Sequence, residues 1–203
     1  KWLSATRWEI ESDPDGVCDG VIAKLGWPIF VKPANAGSSV GITKAHDRDE
    51  LKAAIRLALA NDRKVVFEAF VDGHEVECAV IGSDPAVSTR PGEILAGAEF
   101  YTYDDKYKNG VSQVVIPARL PEEKLDEVKT YAAMAYTALG CEGLARCDFF
   151  VEKDTGRVLI NEINTLPGFT PISMYPKLMS MRASPCLPSS TASSLWLWKG
   201  RKA

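Results

Sequence analysis

The sequence predicts an α+β protein, and three observations carry the prediction. Segments with helical apolar spacing alternate with short apolar runs of strand length. Those runs come in pairs around Asp/Gly turns, as antiparallel hairpins do. No internal repeat competes with that pattern. A chain of 203 residues fits one or two domains with a real core. The formal net charge is −3 and Lys and Arg form no stripe, so no nucleic-acid partner is expected. No stretch approaches the roughly 20 apolar residues that span a bilayer, so no membrane partner is expected. The cysteines (Cys18, Cys78, Cys141, Cys147, Cys186) number five, without a CxxC pair, and only His46 and His74 are present to complete a zinc site. Reduced, mostly buried thiols of a cytosolic protein are the expectation. Position 1 is Lys and no signal-peptide pattern follows, so the natural start is expected elsewhere.

Residues 1–9 read as a strand or extended leading segment, and Asp13 to Leu25 as a helix with Val17, Val21, Ile22 and Leu25 on one face. Trp27 to Lys32 is a short apolar strand whose edge or start Pro28 marks. It runs into a glycine-bearing loop, Pro33 to Gly41. Asp47 to Glu50 looks like a capping box ahead of a stripe of Leu51, Ile55, Leu57 and Leu59. Val65 to Phe70 and Glu75 to Ile81 read as strands of a hairpin around Asp72-Gly73. A Pro, Gly and Ser loop covers Gly82 to Gly92, a strand Ile94 to Phe100, a mobile loop Tyr101 to Val111, and a strand Val114 to Pro117. Pro121 opens the clearest helix, lined by Leu125, Val128, Ala132, Ala135 and Leu139 and stopped at Gly140.

The chemistry concentrates near the end. Lys153-Asp154-Thr155-Gly156 is an Asp/Gly turn, and a hairpin folded about Thr155 puts Asp148 opposite Glu162 and Arg146 opposite Asn164. All four side chains then share one face. Two opposed carboxylates repel, and a divalent cation between them turns that cost into a site. The hard oxygens of Asp148, Glu162 and Asn164 suit Mg²⁺ or Mn²⁺. Arg146 beside them suits a phosphate or carboxylate. A solvated hairpin face with scattered charges is the alternative. Lys32 and the loop from Pro33 to Gly41, with Ser38 and Ser39, can cradle phosphates through backbone N–H groups, yet match neither a Walker A nor a Rossmann fingerprint. A plain glycine turn fits the same residues. Glu68 and Glu75 flank an apolar strand end suited to adenine and ribose, or a plain hairpin with exposed acids. Tyr101, Tyr103, Lys106 and Tyr107 suit a lid over a nucleotide, or an ordinary surface loop.

Four ordered motifs, VKPANAGSSVG, FYTYDDKY, GLARCDFF and INEINTLPGFTPISMYPKL, resemble the D-alanine–D-alanine ligases and their vancomycin-resistance relatives, within the ATP-grasp superfamily. The resemblance covers roughly residues 1–180. It implies an ATP-grasp fold of two α/β subdomains gripping ATP: a central one over 1–75, a C-terminal one with lid and metal strands over 76–180, and an atypical tail over 181–203. It implies that Lys32 and Lys106 hold ATP phosphates beside Ser39. Glu68, Phe70, Val71 and Glu75 would frame adenine and ribose, with Phe100 and Phe150 in the cofactor set. Asp148, Glu162 and Asn164 would bind two Mg²⁺ ions, with Mn²⁺ as a substitute. Arg146 would stabilise an acyl phosphate and the later tetrahedral intermediate. Ser38 and Tyr107 would belong to a hydrogen-bonded catalytic set, and Gly168, Ser173 and Met174 would line the second substrate's site. The implied reaction is ATP-dependent ligation of two D-alanines for peptidoglycan precursors in the bacterial cytoplasm, with D-serine as the rival second substrate. A homodimer of the full-length protein is also implied.

Departures from the family qualify that reading. The family's N-terminal domain is expected to be missing, with its substrate-binding glutamate and a phosphate-binding lysine, so an ATP-binding fragment without ligase activity is the rival of another class. Ala69 stands where many relatives carry lysine. The tail from Met181 shows no helical stripe. Back-translation of Ser193 to Lys199 in another frame gives helix-like text, so a frameshift a little after Lys177 is the expectation, with a genuinely divergent tail as the alternative.

Overall fold

The computed structural model describes residues 1–37, 40–95 and 113–182. Those residues form two compact units, Lys1–Asp72 and, in the second, Gly73–Leu95 with the residues from Gln113.

The first unit holds β1 (Trp2–Thr6), α1 (Arg7–Ser12), α2 (Pro14–Leu25), β2 (Ile29–Pro33), β3 (Thr43–Ala45), α3 (Arg48–Asn61) and β4 (Lys64–Ala69). Its antiparallel sheet runs β1-β4-β2-β3. Strand alternation sends Ile29, Val31, Val65 and Phe67 to one face, where they pack against Cys18, Val21, Leu51, Ile55 and Ala58 from the helices. The other face carries Phe30, Lys32, Lys44 and Glu68.

Local sequence explains where the helices start, and corrects the expectation for residues 7–9. Thr6 ends the strand because it caps α1: its hydroxyl accepts from Glu9 N, and Glu9 Oε2 accepts from Thr6 N at 2.7 Å. Such a box contributes about 1 kcal/mol. Asp13 caps α2 through Gly16 N at 2.9 Å, with Pro14 at the first helical position. Asp47 caps α3, accepting from Glu50 N, but Glu50 reaches back to His46 N rather than Asp47 N, at 2.8 Å. Leu57 faces solvent. Ala54 and Ala58 complete the buried stripe with Leu51, Ile55 and Leu59, because a 3.6-residue turn carries position 57 off that face. Pro28 precedes β2, an inner strand.

The expected hairpin of β4 with the next strand does not form. Both edges of β4 are taken, by β1 and β2. The following strand, β5 (Gly73–Ile81), belongs to the second unit and pairs with other strands there.

That second unit adds β6 (Val87–Ser88), β7 (Gly92–Leu95), β8 (Gln113–Val115), α4 (Glu122–Ala138), β9 (Leu144–Glu152), β10 (Val158–Asn164) and α5 (Met174–Arg182). The path is β10-β9-β5-β7-β8, with β6 on β5, and every pair is antiparallel. The stretch Gly82 to Gly92 is therefore more than a loop, since β6 lies within it. One face, with Val76, Cys78, Val80, Cys147, Phe149 and Val151, packs on α4. The α4 stripe is Leu125, Val128, Ala132 and Tyr136. Leu139 at the helix end is exposed and Ala135 only half-buried, so the core row follows i+4 from Ala132. Tyr136 is fully buried because its hydroxyl donates to Gly82 O at 2.7 Å.

The opposite face is covered at one end by α5, whose Met174, Tyr175 and Leu178 cluster with Ala79. Gly92 permits that approach: a Cβ there would stand 2.9 Å from Ile116 and 3.0 Å from the Met174 sulfur. The rest of this face carries Glu75, Glu77, Arg146, Asp148 and Phe150 and holds the candidate site.

Candidate nucleotide and metal site

The hairpin of β9 and β10 has the expected register where the chemistry lies. Asp148 pairs with Glu162 and Arg146 with Asn164. Near the turn the register is shifted by one, with Phe149 opposite Ile160, and the shift is absorbed between Ile160 and Glu162. Asn161 is thus the extra residue of a bulge, which re-aims the strand so that Glu162 shares a face with Asp148. A one-residue slip without it would turn Glu162 to the other side.

Strand β5 lies on the other side of β9, and its register places Glu77 opposite Asp148 and Glu75 opposite Phe150. Glu77, Asp148 and Glu162 therefore form a row across three strands. Glu77 and Asp148 are each 4% exposed. Arg146 lies among them. Its Nε donates to Asp148 Oδ1 at 2.7 Å and its Nη2 to Asp148 Oδ2 at 2.6 Å. The same Nε is 3.1 Å from Glu77 Oε2, and Nη2 is 3.9 Å from Glu162 Oε1. Burial opposes the guanidinium's charge, but the Asp148 hydrogen bond and the charges of Asp148, Glu77 and Glu162 outweigh it and hold its pKa above the ordinary arginine value. This is a cation fixed in a carboxylate row, on the face opposite α4.

Asn164 Oδ1 accepts from Leu166 N at 3.0 Å, which turns the chain out of β10. Among the described residues no group of three or more His, Cys, Asp or Glu forms a ready cage for a metal ion. The donor chemistry of Asp148, Glu162 and Asn164 nevertheless fits a hard divalent cation: two carboxylates and an amide oxygen on one sheet face. A metal on Asp148 would share the two oxygens that now accept from Arg146 and weaken those bonds.

In the first unit Lys32 Nζ pairs with Glu68 Oε2 at 2.8 Å, diagonal neighbours on β2 and β4. Phe70 stacks on Phe30 with centroids 6.3 Å apart, and Lys44 Nζ lies 4.4 Å over the Phe70 ring. This face therefore presents a cation, a carboxylate and an aromatic surface together, with Val71 half-buried after it. Ser38, Ser39, Phe100, Lys106 and Tyr107, the lid loop, and the tail from residue 183 lie outside the described residues. Ser173 closes a turn, its Oγ accepting from Thr170 N at 3.1 Å, and Gly168 leaves it room: a Cβ would stand 2.8 Å from that Oγ. Met174 is buried in the α5 cluster.

Two groups escaped the sequence reading. Glu77 is two residues from Glu75 and so on its face, but the link to Asp148 requires knowing that β5 pairs with β9. Glu93, on the α4 face of β7, is buried between His74 Nδ1 at 2.7 Å and Arg119 Nε at 3.0 Å. No local motif signals that contact across 26 residues.

Residues 1–184 match the family described as D-ala D-ala ligase C-terminus. The D-alanine–D-alanine ligase of Acetivibrio thermocellus is 56% identical over 177 residues, 87% of this chain and 47% of that protein. That of Chlorobaculum parvum is 49% identical over 179 residues, 88% of this chain and 49% of the relative. Among solved structures, the VanG D-Ala:D-Ser ligase from Enterococcus faecalis is similar at TM-score 0.78 and 38% identity, over 89% of this chain and 51% of that one. The D-alanine–D-alanine ligase from Coxiella burnetii gives TM-score 0.76 at 31% identity, over 92% and 48%. The chain spans about half the length of the curated relatives it matches. With its α+β, ATP-grasp fold, the chain belongs to the D-alanine–D-alanine ligase family, whose C-terminal part it matches.

Proposed function

We propose that this chain supplies the nucleotide-binding and metal-binding part of an ATP-dependent D-alanine–D-alanine ligase of peptidoglycan precursor synthesis in the bacterial cytoplasm. One observation carries the reading: half-buried Arg146 stands among Glu77, Asp148 and Glu162 on the sheet face opposite α4. The curated relatives' name supplies the substrate class.

In this reading Asp148, Glu162 and Asn164 would hold Mg²⁺, which would neutralise phosphoryl oxygens. Lys32 leaves Glu68 to meet ATP phosphate, and Glu68 turns to the ribose. Phe70, Val71, Glu75 and Phe150 frame the base, and Lys106 and Ser39 add phosphate contacts. One D-alanine carboxylate oxygen attacks the γ-phosphorus, the bond from that phosphorus to the β,γ-bridging oxygen breaks, and ADP leaves with its electron pair. The amine of the second D-amino acid then attacks the acyl carbon, and inorganic phosphate departs as the peptide bond forms. Arg146 meets the negative charge that develops in both steps. Ser38 and Tyr107 orient the first substrate, and the turn from Gly168 to Ser173, with Met174 behind it, borders the second.

A second reading, D-alanyl-D-serine ligation, is favoured by the likeness to the D-Ala:D-Ser ligase of Enterococcus faecalis. Incubation with ATP, Mg²⁺ and D-alanine, with and without D-serine, and assay of phosphate and dipeptide separates the readings. Nucleotide binding without either product supports an ATP-binding fragment. Absence of Mg²⁺-dependent nucleotide binding contradicts the proposal.

A further inference from the structure

We propose that Glu77 is a positioning residue for Arg146, the carboxylate that keeps its guanidinium at the site when Asp148 turns to a divalent cation. The inference rests on the reading of Asp148 and Glu162 as metal ligands. As the chain stands, Arg146 is committed to Asp148 by two hydrogen bonds, at 2.7 and 2.6 Å. A metal on Asp148 draws on the same two oxygens, repels the guanidinium and weakens both bonds. A guanidinium released from Asp148 with no second anchor swings toward solvent or follows the nearest phosphate, and its aim is lost.

The register supplies that second anchor. Glu77 is opposite Asp148 on the side away from Glu162. Adjacent strands lie about 4.8 Å apart, so the Glu77 and Glu162 backbones are separated by about 10 Å. A small cation held at about 2 Å from its ligands between Asp148 and Glu162 therefore leaves Glu77 on the far side. Glu77 Oε2 is already 3.1 Å from the Nε whose hydrogen points at Asp148. A small rotation of the guanidinium transfers that hydrogen bond without moving the residue. Burial at 4% exposure fixes the Glu77 side chain between strands, whereas Glu162, 56% exposed at its side chain and 3.9 Å away, has no comparable hold. The two buried carboxylates thus divide the work, one exchanging its cation and the other retaining it.

The Nε–H group of Arg146 reports this directly. Its ¹⁵N–¹H signal, assigned by its loss in R146M, is followed by NMR in the present chain, free and with Mg²⁺ and a non-hydrolysable ATP analogue. Wild type is expected to keep slow solvent exchange in both states. In E77Q exchange is expected to stay slow in the free protein, where Asp148 holds the group, and to rise by about tenfold or more on loading. E77Q is expected to keep the Mn²⁺ affinity of wild type, measured by electron paramagnetic resonance. Fast exchange in loaded wild type overturns the proposal without need of a variant. So does protection in loaded E77Q equal to wild type, and so does loss of Mn²⁺ affinity in E77Q, which makes Glu77 a metal ligand. Failure of wild type to bind the Mg²⁺–nucleotide, seen in the ³¹P spectrum of the same sample, overturns the metal reading and this proposal with it. The other outcomes overturn only the role of Glu77.

Discussion

Asp148 and Glu162 stand directly opposite each other on β9 and β10, with Arg146 bonded to the first and 3.9 Å from the second. Like charges in that register destabilise a strand pair by up to about 1 kcal/mol. Glu162 is the exposed partner, so E162Q removes the repulsion without opening the core. Apo stability is expected to rise, or to change by less than about 0.5 kcal/mol, while Mg²⁺–ATP affinity falls. Thermal melts and titration calorimetry on the same variant check both. Lower stability with unchanged affinity would make the pair a structural hairpin element.

Removing the guanidinium has the opposite stability signature. R146M takes the shared cation from Glu77 and Asp148, both buried. Breaking a buried ion pair from one side costs about 3–5 kcal/mol. Urea unfolding is expected to show that loss, and added Mg²⁺ to recover part of it.

Glu93 makes the second unit sensitive to acid. Burial raises its pKa, but hydrogen bonds from Arg119 and His74 outweigh that and bring it from 4.5 down to about 2. A depressed folded-state pKa means that the group's stabilisation is present above pH 4.5 and is lost as pH falls from there toward about 2. E93Q is expected to lower stability at neutral pH by about 1–3 kcal/mol and to flatten the pH dependence across that window. Denaturant midpoints measured at several pH values decide it.

Two packing contacts give further tests. Y136F removes the bond to Gly82 O while keeping the ring, and is expected to cost about 1 kcal/mol. G92A forces a methyl against Ile116, Met174 and Leu178, and is expected to cost about 1–3 kcal/mol. Urea midpoints of the two variants read both effects.

Local signals were legible in the sequence. Turn residues at Asp154-Gly156 gave the hairpin, and counting from it paired Asp148 with Glu162. The count worked at the metal end only because the bulge at Asn161 restores the register, and no sequence rule announces that bulge. Capping residues Asp13 and Asp47 mark helix starts, but the Thr6–Glu9 box lies inside a stretch that reads locally as strand. What failed was long-range pairing. The Asp72-Gly73 turn looks like a hairpin turn locally, yet both edges of β4 were already occupied. Glu77 and Glu93 stayed hidden for the same reason, since their partners are set by which strands meet.

The central claim is that the polar face of β5, β9 and β10 takes a Mg²⁺–nucleotide through Asp148. Titration calorimetry of a non-hydrolysable ATP analogue into wild type and D148N, with and without Mg²⁺, tests it most directly. The expected result is binding that requires Mg²⁺ and weakens by at least about tenfold in D148N. Equal affinity with and without Mg²⁺, unchanged in D148N, would contradict it.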